Sequence, residues 1–337
     1  MDRAVFRGRQ ARAAGVLSSM FLLWFPLYLA LSVFVVLLLV KIYSLVSVGR
    51  CTCRRSMSGK TVIITGANSG VGKETARELC RRGARVILAC RDVDKARLAA
   101  SDIAGETGVQ PLCMQLDLCS FESVRHFAQQ VLEREQRLDV LINNAGALPP
   151  PERRETEDGF EVTFQANHLG HFLLTNLLLG LLKKTAPSRI INVGSTAHWF
   201  GRFEVDNIGF KRYIQNRIYC NTKLYNMLFT VELAQRLAGT GVTANCCHPG
   251  FVKSHLADRT GDFHARLVDF LVHMFGKSVR DGAQTSVHLA VSGEVRGESG
   301  KMFADCKPSW AVPRWATNPR HAELLWEVSH SMAGLSS

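Results

Sequence analysis

The chain has 337 residues, 47% hydrophobic and 21% charged, which suits one large globular domain or two small ones and excludes a disordered, collagenous or small disulfide-stapled protein. The net charge of +12 is unevenly placed: residues 1–60 hold nine basic residues against Asp2 alone, leaving +4 for the remaining 277. A nucleic-acid-binding body is disfavoured, because such a surface needs its cations on the fold itself.

In chain order, residues 1–15 form a basic tail, and Val16 to Val40 is a run of 25 residues without a charge. As a helix it measures about 37 Å, enough to cross a bilayer with some tilt. It exceeds the apolar core of roughly 7–15 residues in a cleavable signal peptide, so a retained transmembrane anchor is expected over 16–40, with the lipid bilayer as partner. Four basic residues precede it (Arg3, Arg7, Arg9, Arg12) and four follow (Lys41, Arg50, Arg54, Arg55), so flanking charge does not decide orientation. Residues 41–57 read as a basic juxtamembrane linker. The 10 cysteines show no CxxC pairing and fit a reducing compartment.

From Ser58 to the end, 58–337, short apolar runs alternate with helical stretches. The runs are 61–65, 85–89, 112–116, 140–143, 189–193 and 242–246; the helices fall near 72–82, 92–105, 121–135, 167–184 and 219–238. The pattern predicts an α/β fold, a Rossmann-type doubly wound parallel sheet in a single domain. Thr65-Gly66-Ala67-Asn68-Ser69-Gly70-Val71-Gly72 closes the first strand and opens the first helix. Glycines there let backbone approach a pyrophosphate, and the helix N-terminus supplies unpaired N–H donors; Gly66, Asn68, Ser69, Gly70, Val71 and Gly72 are the expected contacts. The spacing is GxxxGxG and not the general GxGxxG.

At the end of the second strand, Cys90 occupies the place where NAD-binding folds put a ribose-binding acid, and Arg91 follows it. That favours NADP(H), with Lys73 a second candidate phosphate contact and Asp92 either a helix cap or a ribose ligand. Asp117 and Leu118 after the third strand, and Asn144, Ala145 and Gly146 after the fourth, stand where adenine and the nicotinamide ribose would lie. Tyr219 and Lys223, four apart in a helical stretch, share a face, and an ammonium beside a phenol would lower its pKa toward neutrality for proton exchange. Ser195 ends the fifth strand, where its hydroxyl can bond a substrate oxygen. His168 and His171 lack a third ligand, and Cys246-Cys247-His248 lies in a strand whose neighbours point oppositely, so no metal site is expected.

TGANSGVG, NNAG, Asn167, Ser195, YCNTK and His248-Pro249-Gly250, in that order, resemble the short-chain dehydrogenase/reductase family over residues 58–330. CRD at 90–92, NHLGHFLLTNLLL at 167–179 and SGKMFADCK at 299–307 look like its microsomal retinol dehydrogenases. The resemblance implies Tyr219 as acid/base, Lys223 as ribose ligand and pKa modulator, Ser195 orienting the substrate and Asn167 setting proton-relay geometry, with Pro249 and Gly250 also on the cofactor. It implies NADP(H) and an apolar, retinoid-like substrate, with a steroid, a lipid-derived aldehyde or a catalytically silent NADP-binding scaffold as alternatives. It implies an endoplasmic-reticulum membrane with the catalytic domain facing the cytosol; a homodimer stays open. Gly194 stands where many relatives have serine, leaving Ser195 alone. Arg266 to Lys277 forms an amphipathic pattern expected either to pack on the core or to touch the bilayer.

Overall fold

The computed structural model describes residues 24–39, 42, 48–252 and 276–335. The chain divides into Met1–Ser47 and Val48–Ser337. In the first unit a helix, α1, covers 24–39 with its large side chains exposed. Among the described residues no helix is long and apolar enough to cross a membrane; 16–23 and 40, the remainder of the expected span, lie outside them. The division falls between Ser47 and Val48, so 48–57 belongs to the body and not to a separate linker.

The second unit is built on one eight-stranded sheet, ordered β3-β2-β1-β4-β5-β6-β7-β8. Its strands are β1 (Thr61–Thr65), β2 (Arg85–Cys90), β3 (Leu112–Gln115), β4 (Val140–Asn143), β5 (Ser188–Val193), β6 (Val242–His248), β7 (Met302–Ala304) and β8 (Lys307–Pro308). All pairings are parallel except β7 with β8. β1, TVIIT, is buried throughout, as a β-branched run covered on both faces must be. Alternate residues feed opposite layers. Val62, Ile64, Val86 and Leu88 pack with α2 (Gly70–Arg81), α3 (Val93–Thr107) and α8 (Val279–Val291). Ile63, Ile87, Leu141 and Ile190 pack with α4 (Phe121–Arg134), α6 (Gly170–Thr185) and α7 (Gln215–Arg236). The chain order reverses between β2-β1 and β4-β5, opening a crevice at the carboxyl ends of β1 and β4.

Three features depart from the expected elements. The helix expected from 167 starts earlier, as α5 (Val162–Phe164), and passes through a π-helical turn, Gln165–Leu169, before α6. β7, β8, α8 and α9 (Pro319–Met332) had no predicted counterpart, the strands because three and two residues carry no readable periodicity. Residues 48–57 are strapped to the body: Cys51 N donates to Gln284 Oε1 (3.1 Å), Cys53 Sγ contacts the Val291 carbonyl (3.7 Å), and the Arg82 guanidinium donates to the Cys53 carbonyl.

Candidate active site

At the carboxyl end of β1, Thr65 is fully buried and its Oγ1 accepts two backbone N–H donors, from Asn144 and Ala145, both at 2.9 Å. Both lone pairs are thereby engaged, so the hydroxyl proton goes to His171 Nε2, 2.8 Å away. The His171 proton then resides on Nδ1, which donates to the Asn167 carbonyl at 3.2 Å. Burial holds this imidazole neutral, its pKa lowered to about 4. Asn144 Nδ2 adds a bond to the Thr65 carbonyl (2.8 Å). Thr65 and His171 were not among the expected site residues; their pairing spans 106 positions, beyond any local motif.

Gly66 and Gly70 have positive φ, +66° and +57°. A Cβ on Gly72 would stand 2.5 Å from Asn144 Nδ2 and 2.9 Å from the Gly66 carbonyl, so the first turn of α2 closes on the β4 loop only because that residue is glycine. Ser69 is the N-cap in extended conformation, makes no side-chain cap bond, and the first turn carries no acid. The cradle of Gly66, Asn68, Ser69, Gly70, Val71 and Gly72 thus presents helix-terminal N–H groups and room for backbone approach, as a pyrophosphate requires.

Cys90 is buried, its thiol accepting from the Ala67 and Asn68 backbone yet pushed up to about 11 by burial. Arg91 beyond it is exposed. Asp92 caps α3, accepting from Lys95 N (3.0 Å) and pairing with Lys95 Nζ (3.1 Å). Lys73 pairs with Asp102 at 2.7 Å. Asp117 closes its own turn, accepting from Cys119 N (2.9 Å). Leu118 is buried where Gly170 lets the start of α6 come close: a Cβ on Gly170 would meet the Leu118 carbonyl at 2.5 Å. Sequence reasoning did not single out Gly170; a glycine inside a helical stretch was the available signal.

Asn167 is fully buried in the π-helical turn. Its Oδ1 accepts from Ala147 N (2.7 Å), and its Nδ2 donates to the Ala147 carbonyl (3.0 Å) and Thr222 Oγ1 (3.1 Å). The β4 loop is therefore gripped by Thr65 at one end and Asn167 at the other. Gly146 lies between, a Cβ there falling 3.6 Å from Lys223 Nζ and 3.7 Å from Asn167 Oδ1. Lys223 is buried, donates to the Val193 carbonyl (3.0 Å), and its Nζ is 5.6 Å from the centre of the Tyr219 ring. Ser195 caps the 3-10 turn Thr196–Phe200, accepting from Ala197 N (3.2 Å).

Asn167, Ser195, Tyr219 and Lys223 are brought together, but one expectation is corrected. Burial pushes the Tyr219 phenol up to about 12, against the opposing pull of a hydrogen bond with the Ser195 side chain. The same burial lowers the Lys223 ammonium to about 8. Desolvation outweighs the expected effect of the neighbouring cation, because helical spacing fixes a shared face and says nothing of the dielectric around it.

Gly250 has φ +87°, and a Cβ there would crowd Lys277 Cδ at 3.0 Å. Pro249 stands beside it, its carbonyl 3.4 Å from a Cβ placed on Gly282. Residues 253–275, which include most of the amphipathic stretch 266–277, lie outside the described residues. His168 is buried, with Nε2 2.8 Å from Ser329 Oγ, and no group of metal-ligating side chains occurs among the described residues.

These features coincide with what the chain resembles. A family model described as short chain dehydrogenase matches residues 60–264. Retinol dehydrogenase 12 of Bos taurus is 48% identical over 292 residues, 85% of this chain and 90% of that protein. Retinol dehydrogenase 11 of Homo sapiens is 48% identical over 316 residues, 93% of this chain and 98% of that protein. Among solved structures, the Pseudomonas aeruginosa RhlG/NADP active-site complex superposes with a TM-score of 0.60 at 26% identity, covering 74% of this chain and 95% of that one. On that family match and these relatives, with the sheet order, the glycine cradle and the Asn-Ser-Tyr-Lys cluster beside them, this chain belongs to the short-chain dehydrogenase/reductase family of oxidoreductases.

Proposed function

We propose that the chain is a membrane-anchored reductase that uses NADP(H) on an apolar carbonyl, with retinal/retinol as the leading pair, held in the endoplasmic reticulum with its catalytic domain facing the cytosol. The observation that carries the chemistry is the Tyr219–Ser195 pair beside buried Lys223, next to a glycine cradle that a dinucleotide fits. The relatives named retinol dehydrogenase support the substrate class, and the uncharged run at 16–40 supports the anchor.

When bound, the nicotinamide supplies or accepts the hydride. The chain's own residues do the rest. The N–H groups at the start of α2 would hold the pyrophosphate, while Thr65 and Asn167 fix the loop of Asn144, Ala145 and Gly146 as the inner wall of the crevice. Asp117 and Leu118 would hold the adenine end, and Pro249 and Gly250 would close the far side. Cys90 leaves no carboxylate to repel a 2′-phosphate, Asp92 is engaged on α3, and exposed Arg91 offers the matching cation. Lys223 would offer its ammonium to the ribose. Tyr219, protonated at neutral pH by its raised pKa, donates to the carbonyl oxygen during reduction, while the Ser195 hydroxyl orients that oxygen.

Retinal reduction by membranes containing the full-length protein tests this reading. NADPH should support turnover better than NADH, and Tyr219→Phe should lower it by about 10²-fold or more while NADPH binding is kept. Arg91→Glu should raise KM for NADPH and leave that for NADH nearly unchanged. Saturable NADPH binding without retinal turnover would discard the retinoid assignment.

A further inference from the structure

Trp310 is 97% exposed and Phe200 78%, with Trp199 beside them at 42%. Trp199 Nε1 donates to the Ala311 carbonyl at 3.0 Å, which joins the turn that carries Trp199 and Phe200 to the loop that carries Trp310. Large aromatic side chains grouped in water mark a contact face. Close by in the chain, Arg202, Lys307 and Arg314 are exposed and form no ion pair among the described residues.

We propose that this aromatic and cationic face docks the body onto an anionic lipid surface, a reading that rests on the membrane anchoring proposed above. Rings of Trp and Phe flanked by unpaired Lys and Arg are the side chains that settle at a headgroup boundary, the rings beneath it and the cations on lipid phosphates and carboxylates. The first residues of the body are seated on the hairpin that leads to Trp310. Gly49 lies directly on Asp305, where a Cβ would run into the Asp305 carbonyl, and Asp305 begins the turn of the β7–β8 hairpin that leads through Lys307 to Trp310. Ser309 N donates to the Met302 carbonyl (2.8 Å), holding that hairpin shut. The face also adjoins the chemistry: Ser195 caps the turn Thr196–Phe200. A lipid-soluble substrate would reach Ser195 from this surface across one helical turn. A second copy of the chain fits less well, since a two-fold contact through this patch would set Arg202, Lys307 and Arg314 against their own counterparts.

Hydrogen exchange on the full-length protein decides the question, comparing detergent micelles with nanodiscs of phosphatidylcholine alone or with phosphatidylserine added. Peptides over 196–202 and 307–315 should exchange at least about threefold more slowly in the phosphatidylserine discs than in micelles. Phe200→Ser with Trp310→Ser should abolish that slowing and raise KM for retinal in membranes, with reduction of a short water-soluble aldehyde unchanged. Equal exchange in discs and micelles overturns the docking, as does slowing in micelles that grows with protein concentration, the mark of a second copy. Protein recovered outside the discs overturns the anchoring instead. The same comparison with anionic vesicles added to that soluble protein then decides the docking alone.

Discussion

At the scale of single residues, the assembly of the crevice rests on a proton inventory. Thr65 has both lone pairs occupied, and its hydroxyl proton is accepted by neutral His171. His171→Phe would leave the Thr65 hydroxyl proton buried without an acceptor, a cost of about 1–3 kcal/mol for such a group. Urea denaturation should show that loss, together with weaker NADPH binding; an unchanged midpoint would mean that the pair contributes nothing. Gly194→Ser makes a second test. Its Cβ would lie 2.7 Å from Cys246 Sγ, so a serine there is opposed by a neighbour's volume. Overpacking of this kind costs about 1–3 kcal/mol and should be relieved in a Cys246→Ala background. Tyr219 with Lys223, and Cys90 in the acid position, were legible because counting along one helix or one βα unit locates them. Thr65 with His171 was not, since partners 106 positions apart leave no local mark. The direction of the Tyr219 shift was also illegible, being set by burial and not by spacing.

At the scale of elements, residues 48–57 behave as a strap and not as a tether. Gly49 on Asp305, Cys51 on Gln284 and Cys53 on α8 fix them along the body. Gly49→Val would lift the strap from Asp305, so trypsin should cut at exposed Arg54 and Arg55 faster than in the parent chain; equal rates would show that Gly49 does not hold it. Basic composition suggested a linker, because charge reports solvation of side chains while the strap is held largely through backbone groups. α2 was legible from its glycines and its amphipathic pattern. The π-helical turn was not, since one widened turn leaves the apolar period of the flanking helix almost unchanged.

For the whole molecule, the alternation of apolar runs and helices gave the parallel sheet from β1 to β6, because strands buried on both faces must be apolar throughout. The region beyond β6 was less legible: β7 and β8 are too short for a period, and β8 pairs antiparallel at the edge. The fold as a whole holds neutral histidines. His168 is lowered to about 3 and His171 and His248 to about 4, each chiefly by burial. Between about pH 6.5 and 4 the unfolded chain binds protons that the folded one refuses, so stability falls with falling pH in that window. The melting temperature should be clearly lower at pH 5 than at pH 7, and a flat profile would contradict these burials. Lys223, lowered to about 8, acts at the other end of the scale. Its buried charge opposes folding below pH 8, and that opposition is relieved as pH rises toward the ordinary lysine value. Reduction should nevertheless decline as pH rises through about 8, because the ammonium proposed to hold the ribose is then lost.

The widened turn at Gln165–Leu169 has a consequence for how this crevice tolerates change in chain length. A helix advances about 100° per residue, so removing one residue from the turn would let the stretch from Val162 to Thr185 wind as a regular α-helix. The lost residue and the tighter winding nearly cancel, so the flanking stretches keep their faces and the residues of the turn itself change direction. Asn167 would swing off Ala147 while His171 stayed on Thr65. Side-chain replacements here trim single bonds, whereas a one-residue deletion would separate the two grips on the β4 loop and leave the sheet standing.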